Sequence, residues 1–213
     1  MSDLSANLFQ LLSAQRHGDE AARAAVLEPF QPWLRLLARL QIDGAFQGKF
    51  DPSDIAQQTL LEAYRDLPKF RGQSEPELLA WLRQILAHVL GHEVRRHQGT
   101  QQRDMGREVS LEQSLAQSSL RLGAILANDG PSPSQQAVAR EQEVRLAEVL
   151  ARLPEEYREV IVLRNLEELP HEEIALRMRR SVGAVRMLWV RALAMLRSEI
   201  VDIPGHTSSG DYS

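Results

Sequence analysis

The chain has no cysteine among its 213 residues, which excludes disulfides and thiolate metal sites. Aromatic residues are scarce at 5%. No apolar run approaches the roughly 20 residues that a membrane-spanning helix needs. The N-terminus, MSDLSANLFQ, has no basic stretch ahead of an apolar one, so no secretory signal is expected and a cytoplasmic protein follows. Strand patterning is missing too, because no segment alternates apolar and polar residues with a period of two. Nor do the acids, bases and hydroxyls form a recognisable nucleophile–base pair or phosphate loop, so neither an enzyme with a small-molecule substrate nor a cofactor is expected. His88 and His92 stand i, i+4, a spacing that can bind zinc. His92-Glu93…His97 is one residue too long for the H-E-x-x-H pattern, however, and no further ligand cluster is evident, so no metal is expected.

What is present favours helices. Leu, Ala, Arg, Glu and Gln dominate, and a hydrophobic fraction of 43% supports real cores. The length suits one large domain or two small ones. The net charge of −4 argues against nucleic acid, but its distribution does not. Arg177, Arg179, Arg180, Arg186, Arg191 and Arg197 fall in one stretch without an acid. A second basic stretch runs from Arg83 to Arg103, with four arginines against Glu93 and with His88, His92 and His97 between them. Two basic stretches on an acidic chain suit contact with DNA at two places; charge alone equally fits two solvated helix faces.

Three sections are visible. Residues 1–97 carry helical periodicity, as in Ala56, Leu60, Ala63, Tyr64 and Leu67. The opposite face of that helix holds Asp54, Gln57, Gln58, Glu62 and Arg65. Asp51 or Ser53 can cap its start, with Pro52 in the first turn. Residues 98–139 are rich in Gln and Ser, lack aromatics and close on Asn128-Asp129-Gly130-Pro131-Ser132-Pro133, which reads as a flexible linker. Leu111, Leu115, Leu122 and Leu126 allow a short transient helix within it. Residues 140–200 are helical again, with a stripe of Val185, Trp189, Ala192, Leu193 and Leu196 expected to be buried. The tail 201–213 is expected to be disordered.

The sharpest local signal is a short helix at 171–178, a brief turn and a helix starting at Ser181. This is helix-turn-helix spacing, in which the second helix presents its N-terminal residues to base edges in the major groove. Ser181 can cap that helix. Arg179, Arg180, Arg186 and Arg191 can contact phosphates or bases.

The segment LPEEYREVIVLRNLEELPHEEIALRMRRSVGAVRMLWVRALAMLR (153–197) resembles region 4 of the sigma-seventy family, especially its extracytoplasmic-function group. DPSDIAQQTLLEAYRDLPKFRG (51–72) resembles region 2 of the same group, and WLRQILAHVLGHEVRRH (81–97) continues it. The order is right and the two together cover well over half the chain. The resemblance implies an all-α protein with two small helical domains joined by a flexible linker. Its implied partners are RNA polymerase core and promoter DNA. An anti-sigma factor is common in the family, though no residue here specifies one.

The resemblance also implies residue roles. Asp54, Gln57, Gln58 and Glu62 would dock on the polymerase. Lys69, Phe70, Arg71, Gln73 and Ser74, with His88, His92, Arg95 and Arg96, would hold the opening minus-ten element, which requires positive charge and a surface for an unstacked base. Trp81 and Phe70 can equally be core residues, and for Trp81 the core is the better reading. Arg179, Arg180, Ser181, Ala184, Arg186, Met187, Val190 and Arg191 would face the minus-thirty-five element. The linker would thread through the polymerase. Some positions depart from the family pattern: His88 and His92 replace Asn and Asp, Arg179 replaces a turn Gly, and Pro170 replaces a Ser or Thr cap. Ala184, Met187 and Leu188 replace Thr, Ser and Arg, leaving fewer groups for base-edge hydrogen bonds. The alternative reading is an operator-binding regulator that uses only the helix-turn-helix, with residues 1–97 sensing a ligand.

Overall fold

The computed structural model describes residues 3–16, 18–42, 50–98, 105–125 and 133–201. Among these residues there is no strand, and the chain is built of packed helices. The tail that follows and Leu126 of the linker lie outside the described residues.

Helices α1 (Asp3–Arg16) and α2 (Glu20–Leu27) form a hairpin. Gly18 turns it at φ +92°, a conformation that costs glycine little. Asp19 caps α2 by accepting the Ala22 amide at 3.0 Å. Helix α3 (Gln31–Gln41) is the centre of the N-terminal bundle, with Trp33, Leu34, Leu36, Leu37 and Ala38 all buried. Phe30 meets Trp33 edge to face, 6.4 Å between centroids. Helices α4 (Pro52–Asp66) and α5 (Glu75–Gln98) complete the bundle, with Leu78, Leu79, Leu82 and Leu86 of α5 sealed inside.

The stretch expected to be a flexible linker is largely helix. Helix α6 (Met105–Ala124) buries Leu115 and Leu122 completely and packs against α3, α5 and α7. The physical reason is that leucines seven residues apart lie on one face, and once a neighbouring bundle covers that face, a Gln- and Ser-rich exterior does not oppose helix. Helix α7 (Pro133–Arg152) starts earlier than the expected boundary at 140, using Pro133 in its first turn.

The C-terminal helices are shorter. Helix α8 (Glu155–Ile161) runs directly into a π-helical turn, Val162–Leu166. Then come α9 (His171–Arg177) and α10 (Val182–Val201). Helix α10 packs on α7, α8 and α9, while α7 also lies against α3. The two halves therefore share one apolar core, crossed by an ion pair between Arg39 and Glu159.

Candidate nucleic-acid interface

Helix α4 presents the first expected face. Asp51 caps it, its Oδ1 accepting the Ser53 amide at 2.8 Å. Ile55, Ala56, Thr59 and Ala63 point into the bundle, and the Thr59 hydroxyl donates to the Ile55 carbonyl at 2.8 Å. Leu60 and Tyr64, expected to be core, are only half-buried. Asp54, Gln57 and Gln58 are exposed and Glu62 is partly so, with the Gln58 amide donating to Glu62 Oε1 at 3.1 Å. The four residues do share a face. At its centre sits Leu61, 45% exposed, which the periodicity did not mark because one apolar residue among polar ones leaves no pattern.

The loop from Lys69 to Ser74 is tied to α5. The Gln73 and Ser74 amides and the Ser74 hydroxyl all donate to Glu77 Oε2, at 2.8, 3.0 and 2.9 Å. This is a Ser-x-x-Glu arrangement at a helix start. These bonds, the Gln73 amide foremost, hold the Glu77 carboxyl below its ordinary range. Lys69, Arg71, Gln73 and Ser74 are exposed, with Lys69 donating to Asp66 and Arg71 to the Pro68 carbonyl.

Of the two roles open to Phe70, the structure shows the core one. Phe70 is buried, its ring 5.0 Å from that of half-buried Trp81. A Cβ on Gly72 would lie 2.2 Å from the Phe70 ring, so only glycine lets the loop fold back over it. Phe70 thus anchors the loop from beneath and offers no open face for a base. Farther along α5, His88 and His92 are exposed, Arg95 is half-buried and Arg96 is exposed, on one side of the helix by their spacing. Arg96 donates to Glu93 Oε1 at 3.3 Å.

The helix-turn-helix forms where its spacing placed it. The Met178 amide bonds the Ile174 carbonyl at 2.8 Å and the Arg180 amide reaches back to Ala175 at 2.9 Å. Between them Arg179 takes φ +52°. The turn therefore needs the left-handed conformation, which costs a non-glycine residue about 1 kcal/mol. Ser181 Oγ accepts the Ala184 amide at 3.2 Å and caps α10.

Arg179, Arg180, Ser181, Ala184, Arg186, Met187, Val190 and Arg191 are all exposed. The buried stripe behind them is Val185, Leu188, Ala192, Leu196 and Ile200. Leu188 therefore belongs to the core, and Trp189 and Leu193, expected in the stripe, lie half-buried along its edge. The shift has a polar cause. The Trp189 indole N–H donates to Asn165 Oδ1 in the π-helical turn at 2.9 Å, and its ring meets His171 edge to face at 5.7 Å. Burial, then the charges of Arg164 and Arg186, push the His171 pKa down.

Acids on neighbouring elements meet several of the arginines. Arg180 pairs with Glu156, Arg186 approaches Glu172 at 3.7 Å, and Arg177 bridges Glu167 and Glu173 at 2.9 and 3.0 Å. Among the described residues, Arg179 and Arg191 show no such pair. No group of three metal-ligating side chains occurs among those residues.

Residues 143–196, which contain this whole motif, match the family described as Sigma-70, region 4. Relatives extend the likeness to nearly all of the chain. The ECF RNA polymerase sigma factor SigD of Mycobacterium tuberculosis is 30% identical over 198 residues, covering 92% of this chain and 82% of the relative. The ECF RNA polymerase sigma-E factor of Haemophilus influenzae is 31% identical, covering 70% of this chain and 75% of its own. The RNA polymerase sigma-H factor of Pseudomonas aeruginosa is 29% identical, covering 86% and 88%.

Proposed function

The chain belongs to the extracytoplasmic-function sigma factors, which act in transcription initiation, and on that premise we propose how its two faces divide the work. The α4 face of Asp54, Gln57, Gln58 and Glu62, with Leu61 at its centre, docks on core RNA polymerase. An apolar residue ringed by polar ones has the make-up of a protein-binding hot spot. The exposed loop residues Lys69, Arg71, Gln73 and Ser74, with His88, His92, Arg95 and Arg96, hold the opening minus-ten element. Helix α10 enters the major groove at the minus-thirty-five element. The protein works in the cytoplasm alongside the polymerase.

The observation that carries this reading is the open face of α10. The turn residues Arg179, Arg180 and Ser181 and, on α10, Ala184, Arg186, Met187, Val190 and Arg191 are exposed around the capped first half of a helix whose other side is buried in core. Arginines there serve phosphates or guanines, while Met187 and Val190 suit thymine methyl groups. No residue within the motif specifies an anti-sigma factor.

The test is transcription. The purified chain, mixed with core polymerase, should direct initiation from a promoter with both elements and co-purify with the core. Arg186→Ala should fold normally and weaken use of the minus-thirty-five element. Loss confined to variants of one base pair, about 1–3 kcal/mol, assigns a base contact, and a uniform loss assigns a phosphate. Palindromic duplex binding with no affinity for the core would instead mark an operator-binding regulator.

A further inference from the structure

A cleft of about 240 Å³ opens where α3, the start of α4, α7 and α8 meet. Part of its wall is apolar, with Leu36, Ala147 and Leu150 all buried. Three arginines line it as well, Arg35 and Arg39 from α3, one turn apart, and Arg158 from α8. Against them stand two acids, Asp51 at the head of α4 and Glu159, which pairs with Arg39. The cleft therefore carries one positive charge more than it carries negative ones.

The three arginines are not equivalent. Arg39 is committed to Glu159. Arg158 donates one N–H to the Ala151 carbonyl at 3.1 Å, which orients its guanidinium and leaves other donors for a ligand. Arg35 is exposed, and among the described residues no carboxylate pairs with it. Elsewhere the chain matches such groups with acids, as where Arg177 bridges Glu167 and Glu173. Surplus guanidinium beside a buried apolar wall suits an anion with an apolar body. A phosphate monoester brings roughly 1.5 to 2 negative charges and three acceptor oxygens, enough for both Arg35 and Arg158. The remaining polar lining comes from α4, where Asp51 accepts the Ser53 amide through Oδ1 at 2.8 Å. A carboxylate has about four lone-pair sites, so Asp51 keeps capacity for a ligand hydroxyl.

We propose that this cleft binds a small phosphorylated metabolite with a hydroxyl-bearing ring. Arg35 and Arg158 hold the phosphate, Asp51 accepts a ring hydroxyl, and Leu36 and Leu150 cover the apolar face. The volume lies below the roughly 300–1,000 Å³ of clefts that enclose drug-sized ligands, so the occupant is a mononucleotide or smaller. None of the lining residues belongs to the DNA-facing sets or to the α4 docking face. The site is thus separate from the machinery assigned above.

Isothermal titration calorimetry on the full chain tests this, with AMP, ribose phosphate, adenosine and inorganic phosphate as probes. AMP or ribose phosphate should bind at least about tenfold tighter than adenosine and inorganic phosphate, because phosphate and body are held together. Tighter binding of AMP places a base on the apolar wall, and equal binding of the two assigns a sugar phosphate. Arg35→Ala should weaken the better probe at least about fivefold while its thermal melt stays that of wild type, since an exposed substitution leaves the fold intact. Arg152→Ala, exposed on α7 and outside the cleft, should bind like wild type. Three results overturn the site: no heat from either phosphorylated probe at millimolar concentration, inorganic phosphate binding as tightly as both, or unchanged affinity in Arg35→Ala. No polymerase or promoter enters the measurement, so its failure leaves the reading of function where it stands.

Discussion

The two halves hold their outward faces in place by different means. In the N-terminal bundle the long helices α4 and α5 are set by a deep apolar core, with Phe30, Trp33, Leu34 and Leu37 at 0% exposure. In the C-terminal half the recognition helix is set by local, directional devices. These are a left-handed residue in the turn, a serine cap, and one indole hydrogen bond to a π-helical turn. A bulk apolar core tolerates variation on its surface, whereas a directional contact fixes the rotation of one helix and fails when one atom is lost. The first half should therefore be sensitive to volume and the second to single polar groups.

The largest effect should come from the apolar half. Trp33→Ala removes the largest fully buried side chain of α3 and should cost about 3–5 kcal/mol. Chemical denaturation checks this, and a loss under 1 kcal/mol would show that the bundle is not held by its core. Next is Asn165→Ala, which strands the Trp189 N–H and should cost about 0.5–1.5 kcal/mol. Trp189→Phe, which removes the donor together with its need for a partner, should then make Asn165→Ala nearly silent in a double-mutant cycle. If the two losses simply add, the hydrogen bond is not what sets the helix.

Smaller still is Arg179→Gly. It relieves a left-handed backbone worth about 1 kcal/mol, partly offset by the greater freedom of glycine in the unfolded chain, so a net gain of a few tenths is expected in thermal melts. The same substitution should lower the salt slope of DNA binding by about one if Arg179 meets a phosphate. The smallest effect concerns Glu77. Its folded pKa is depressed by the Gln73 and Ser74 donors, so its contribution is present above its unfolded value and fades as pH falls through the folded one. Glu77→Gln should flatten that acid limb and loosen the 69–74 loop, seen as faster amide exchange at Gln73 and Ser74.

Much of this was legible in the residues. The exposed polar face on α4 followed from i, i+4 spacing, and Asp51 and Ser181 stood where caps belong. The left-handed turn at Arg179 was signalled only by the resemblance, which puts glycine at that position. Other features were not legible. Leu188 and Trp189 are adjacent apolar residues, and periodicity cannot say which faces inward when a neighbouring Asn165 offers the indole a partner. Phe70 looked available because its loop is polar, but its burial depends on the fold of Gly72 and on Trp81 eleven residues ahead.

By itself, then, the sequence determined the all-helical class, the order of the two motifs, the starts of α4, α9 and α10 and the exposed positions of the recognition helix. The order of the motifs rests on the family resemblance, and the rest is fixed by local propensity, capping chemistry and a 3.6-residue period. Only the tertiary structure decided the fate of residues 105–124. Their leucines gain nothing from helix in isolation, because a short helix is marginal without a surface to cover its apolar face. The α3, α5 and α7 surfaces supply that cover, and what composition marks as a loose linker becomes the element that joins the two halves.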